Sequence, residues 1–155
     1  MTACAGREIA VETDNAGVTI IRLPCASKRK DRTGASYLFM LSYILQCARY
    51  MFTKRKSLVF DCIISFFAIP TGLAGLLASW ILAKPHITIL IGGELYKQPF
   101  ELETVSSPLL KALLRFVLQK SDAATAISES IRQAALSLTH TSTAVTTISL
   151  GFEPP

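Results

Sequence analysis

Charge is what this chain has least of. Of its 155 residues, 17 percent are charged and half are hydrophobic, against about 25 percent charged in an ordinary globular domain. That deficit predicts a membrane protein with small water-facing parts. Histidine is nearly missing, with only His86 and His140. They fall in different predicted elements, with no Cys, Asp or Glu at ligand spacing, which argues against a metal site or a histidine base. The four cysteines, Cys4, Cys25, Cys47 and Cys62, contain no CxxC spacing, so a zinc site has no support. Disulfide frameworks belong to small secreted chains, so reduced thiols are expected. Cys47 and Cys62 flank a basic stretch of the kind where S-acylation occurs. Asn15, the single asparagine, stands in "NAG", which is no glycosylation sequon. No apolar stretch follows Met1, so no signal peptide is expected and a span would direct its own insertion.

The sequence also lacks the common chemical signatures. There is no GxGxxG, GxxxxGK or GxSxG pattern. "IGGEL" at 91–95 has two glycines but no phosphate-loop spacing. Glu101 and Glu103 read as an exposed strand edge rather than an acid–base pair. Lys111 and Arg115 share one predicted helix face and read as solvating it. These absences predict a protein that is not an enzyme, with no cofactor and no metal.

What is present is one long apolar run, "SLVFDCIISFFAIPTGLAGLLASWILAKP", from Ser57 to Pro85. Residues 63–82 carry no charge. At about 1.5 Å per residue they would reach roughly 30 Å, the thickness of a hydrocarbon core. The expected fold class is therefore a membrane protein with one transmembrane helix at 57–83. An amphipathic interfacial helix, or weak first span, precedes it at 36–56, and a small α+β module follows at 84–155. A two-helix transmembrane hairpin is the alternative. A re-entrant wedge around Pro70, Thr71 and Gly72 is a third arrangement.

Charge distribution orients this expectation. Residues 1–56 hold ten Lys/Arg against four acids, while residues 84–155 hold six of each. The positive-inside rule places the N-terminus in the cytosol. Arg49, Lys54, Arg55, Lys56, Trp80 and Lys84 then read as membrane-interface anchors. The expected partners are a lipid bilayer, including anionic headgroups, and other transmembrane helices from a second copy or another protein. Nucleic acid is not expected, because the basic residues crowd beside the apolar run. Localisation reads as integral membrane.

Wrapped at 100° per residue, Asp61, Ser65, Ala68, Gly72, Gly75, Ser79 and Ala83 fall on one side of the expected helix. Small residues at such spacing let helices approach closely in lipid. Asp61 heads this seam as an interfacial acid rather than an ion site. The functional expectation is a small membrane-anchored interaction or structural subunit. It would assemble through the small-residue face and through its C-terminal module. An oligomeric pore-forming or transport-associated protein is the alternative.

The remaining elements follow from local signals. Residues 8–23 predict a β-hairpin around "DNAG", and 24–34 a basic linker. Within 36–52, Leu38, Leu41, Leu45, Ala48 and Phe52 make an apolar face, suited to lying flat in headgroups. "HITILI" at 86–91 alternates as a strand, followed by an edge strand at 94–102 bent by Pro99. Ser107 and Pro108 open a helix to about Lys120. A second helix follows from Ser121 or Asp122, with Ala124, Ile127, Ile131, Ala135 and Leu138 along its buried stripe. Residues 141–150 are β-branched and predict a last strand, and 151–155 a loose tail.

Overall fold

Ile63–Phe66 is a strand, not the start of a helix. The computed structural model describes residues 2–4, 8–25, 37–92, 95, 107–139 and 144–149. The basic run at 28–32, the predicted strand at 94–102 apart from Leu95, Glu103 after it, His140, and the tail at 151–155 lie outside the described residues, and with that strand go Lys97, Pro99 and Glu101.

Four strands run parallel in the order β4–β5–β6–β7, with β4 at Ile63–Phe66, β5 at His86–Leu90, β6 at Ala123–Ala126 and β7 at Val145–Thr147. Helices α2 (Leu73–Leu82), α3 (Pro108–Lys120) and α4 (Glu129–Thr139) make the three crossovers. Sequential order with helical crossovers makes this a βαβ sheet, in which one hand of connection puts successive helices on the same face. Residues Ser65, Thr88, Ala124 and Val145 form one row across the sheet. All four are buried. Above that row Leu76, Leu114, Val117, Leu118, Ile131 and Ala135 close the main core. On the opposite face Ile64 and Phe66 are exposed, and Ile87, Ile89 and Thr125 are half-buried.

Ahead of this sheet lies a smaller one, in the order β1–β3–β2. Strand β1 is Thr2–Cys4, β2 is Ala10–Thr13 and β3 is Thr19–Pro24. Strands β2 and β3 pair antiparallel. The Asp14 carboxylate holds the turn between them, accepting from the Ala16 and Val18 amides at 2.9 and 2.8 Å. Gly17 supplies the positive φ, at 80°. Helix α1, Tyr37–Lys54, packs on α2 and β3. Tyr43 and Cys47 join Leu23, Cys25 and Ala74 in a second buried cluster. Burial pushes the Cys47 thiol up to about 11, which leaves it protonated and inert at neutral pH.

The expected transmembrane helix at 57–83 is therefore corrected. Among the described residues, no helix is long and apolar enough to cross a membrane. The run is instead β4, a wide turn at Ala68–Gly72 and the ten-residue α2. This correction removes both the single span and the two-helix hairpin, and with them the integral-membrane localisation. The module expected after residue 84 is not separate either, since β5 pairs directly with β4 from inside the supposed span. The second helix expected from Ser121 or Asp122 begins later, at Glu129, because Ala123–Ala126 is a strand.

The seven residues expected on one helix face occupy several kinds of structure. Asp61 is exposed ahead of β4, Ser65 lies within it, Ala68 and Gly72 lie in the turn, and Gly75 and Ser79 lie on α2. Ala83 ends α2 in the left-handed conformation, with φ 52°. The small side chains serve a different contact. A Cβ on Gly75 would sit 2.9 Å from His86 Cδ2, and nearer still to Ser65 Oγ and His86 Nε2. One on Gly72 would meet Val117 Cγ1 at 2.9 Å. Glycine at 75 lets α2 press onto β4 and β5, and glycine at 72 lets its start approach α3. Gly75→Ala should therefore lower unfolding free energy by about 2 kcal/mol through overpacking, measured by urea denaturation; an unchanged midpoint would contradict this packing.

Candidate active site

In open parallel sheets, ligands gather outside the carboxyl ends of the strands, where helix N-termini also point. Here that edge is built from the ends of β4, β5, β6 and β7. The chain leaves β4 through Phe67, whose amide donates to the Ile89 carbonyl at 2.9 Å and whose φ is +69°. That left-handed residue turns the backbone sharply toward α2. The Thr71 hydroxyl closes the turn by bonding the Phe66 carbonyl and, at 2.9 Å, the Phe67 carbonyl. The Gly72 amide also donates to the Phe67 carbonyl, at 3.0 Å. At the end of β5, Gly92 has φ 113°, and its carbonyl accepts from Leu95 at 2.9 Å.

Among the described residues, the β6 end carries the most polar groups. Ser128 caps α4: its hydroxyl accepts from the Ile131 amide at 3.3 Å and contacts the Ser130 hydroxyl at 3.0 Å. Glu129 follows in the first turn. Its Oε2 accepts from the Thr147 hydroxyl at 2.8 Å, and its Oε1 from Arg132 at 2.7 Å and Gln133 at 3.2 Å. The Arg132 Nε donates to the Val145 carbonyl at 2.8 Å, so the guanidinium ties α4 to β7. The Thr147 bond foremost, with Arg132 and Gln133, holds the Glu129 carboxyl below its ordinary value. It is therefore a carboxylate at neutral pH, suited to accepting hydrogen bonds and poorly suited to taking protons.

A second polar cluster lies inside the fold, and its center is His86, with no exposed surface. Its Nε2 meets Ser65 Oγ at 2.9 Å and its Nδ1 meets Ser121 Oγ at 3.1 Å. Ser121 also contacts Thr88 Oγ1 at 2.8 Å and donates to the Val117 carbonyl at 2.8 Å. The His86 amide donates to Asp122 Oδ2 at 2.8 Å, and the Asp122 amide returns a bond to the His86 carbonyl at 2.9 Å. A Ser–His contact resembles a nucleophile–base pair, but this one begins β5, at the amino end of the sheet, and no water reaches it. It is a structural knot.

The chain matches the model of the glycosyl transferase 4-like domain over residues 2–151. It belongs to that family. No curated protein matches the sequence. The family match overturns the expected membrane-anchored interaction subunit and the pore-forming alternative. Both rested on a span, and the glycosyl transferase 4-like domain instead spends those residues on β4 and α2.

Of the sequence-derived site residues, Ala68 and Gly72 lie at the carboxyl edge, in the turn after β4, and the others do not converge there. Ser65 and Gly75 surround His86. Ser79 bonds the Lys84 carbonyl at 2.6 Å at the far end of α2. Trp80 packs edge-to-face on Phe116 of α3, with centroids 6.3 Å apart. Arg49, Lys54, Arg55 and Lys56 are exposed along and just beyond α1. Reading the sequence missed Thr71, Ser128, Glu129 and Thr147. "SES" at 128–130 held a usable signal, a serine cap followed by an acid in the first turn, but the alanines at 123, 124 and 126 favour helix and mask the strand before it.

The buried histidine makes stability depend on pH. Burial lowers its pKa, and the Asp122 carboxylate offsets that only in part. The unfolded chain therefore takes up a proton that the folded chain refuses. Stability is complete above the ordinary histidine value of about 6.5 and falls as pH drops below it, with a slope of at most about 1.4 kcal/mol per pH unit. Urea titrations between pH 7.5 and 5 should show this loss in the wild type and its reduction in His86→Leu, whose stability at neutral pH is also lower.

Proposed function

We propose that this glycosyl transferase 4-like domain takes part in glycosyl transfer, with the carboxyl edge of β4–β7 holding a substrate. In such a reaction the bond from the anomeric carbon to a leaving group breaks, and a bond to an acceptor oxygen forms. The observation that carries the proposal is the family match over 2–151. The site's chemistry supports it. Sugars present hydroxyls, and the Glu129 carboxylate is held ionised to accept from them. The starts of α2 and α4 supply helix N-termini on the same edge, which suit a phosphate on the leaving group. Glu129 serves here as a binding group, and Thr147 and Arg132 orient it.

The test is a panel of nucleotide sugars and free sugars, read by ligand-detected NMR for binding and by mass spectrometry for transfer to an acceptor. At least one donor or acceptor should bind. Glu129→Gln should weaken that binding by about tenfold, the loss of one charge-assisted hydrogen bond, with thermal stability little changed. Absence of binding and of transfer across the panel would contradict the proposal.

A further inference from the structure

Helix α1 has two apolar faces, and the core uses only one. Tyr43, Cys47 and Met51 are buried. On the opposite side Leu38, Leu41, Leu45 and Phe52 fall within about 60° of one another at 100° per residue. Each is more than half exposed. The outer side of a surface helix ordinarily carries charged and polar residues, so four large apolar side chains there form a surface feature rather than scatter.

The charge around this stripe is of one sign. Arg49 borders this arc, and Lys54, Arg55 and Lys56 follow at the helix end, all exposed. The Arg55 guanidinium sits over the Phe52 ring, 4.8 Å from its centroid. No acidic residue occurs between Asp31 and Asp61. A second copy would bring the same cations and no acids to this face. A surface of opposite charge with an apolar layer beneath it complements both features.

We propose that α1 docks the domain onto an anionic lipid surface. The helix lies in the headgroup plane, with Leu38, Leu41, Leu45 and Phe52 at the acyl boundary and the cations against the headgroups. Its inner face stays packed on α2 and β3, so it rests on the bilayer and does not cross it. This docking goes beyond glycosyl transfer and does not depend on it.

The test is co-sedimentation of the full 155-residue chain with vesicles of phosphatidylcholine, with and without phosphatidylserine, at low and high salt. Binding should require phosphatidylserine and weaken with salt. Leu41→Glu with Leu45→Glu, and separately Lys54→Glu with Arg55→Glu and Lys56→Glu, should each cut it at least about tenfold. Leu109→Glu, at an exposed leucine on α3, should leave it unchanged. Circular dichroism and thermal unfolding check that each variant folds, and the charge-reversed variant alters only exposed positions. The proposal is overturned by no binding, by equal binding to neutral vesicles, by variants that bind like the wild type, or by a dimer in sedimentation velocity that the leucine substitutions abolish.

Discussion

A histidine sealed from water sets the terms for this fold. Neutral imidazole has one donor and one acceptor nitrogen, and burying either without a partner costs about 1–3 kcal/mol. His86 meets that demand from two directions, through Ser65 on β4 and Ser121 at the end of α3. Asp122 then exchanges backbone-directed bonds with His86, aligning the starts of β5 and β6. The knot thus sets the order of three strands before any apolar contact is considered. It also dictates Gly75, since any side chain there would enter the space of the ring and its serine partner. Burying an all-polar cluster beneath Leu76, Val117 and Leu118 is tolerable only because every member is bonded.

The same constraint explains why the run at 57–85 misleads when read as sequence. A strand in a parallel sheet is apolar, and the helix that follows it packs a core face. Joined by a short turn, Ile63–Phe66 and Leu73–Leu82 give 63–82 without a charge, which has the length and hydropathy of a span. Apolar runs do not by themselves distinguish strand from helix. The visible break was Pro70–Thr71–Gly72, where the chain reverses. The glycines at 72 and 75 marked close approach correctly in kind, but the neighbors are Val117, Ser65 and His86 rather than another membrane helix. Signals within one turn were more legible. "DNAG" lies at a hairpin turn, and Ser107–Pro108 begins a helix. The candidate site was not legible, because Glu129 and Thr147 meet only through the pairing of β6 with β7, and Thr71 reaches the same edge only through β4.

The two ends of the sheet carry different work. The amino end, with His86 and Asp122, is closed and structural. The carboxyl end gathers the Thr71 turn, the α4 cap and the Glu129–Thr147–Arg132 contacts, in a fold whose ligands enter from that side. Helix α1 stands apart from both, anchored by Tyr43, Cys47 and Met51 on one side and presenting leucines and cations on the other. Its apolar stripe at Leu38, Leu41, Leu45 and Phe52 was visible in sequence, but the inner face at Tyr43, Cys47 and Met51 became clear only from the packing.

The central claim is that residues 63–66 form a parallel strand beside β5. Isotope-edited NMR on the refolded chain tests it most directly. The account predicts cross-strand backbone NOEs linking Ile64 with Ile87 and Phe66 with Ile89, the pairs in register. Continuous i to i+3 NOEs from Ser57 through Ala83, with no contact between Ile64 and Ile87, would contradict it.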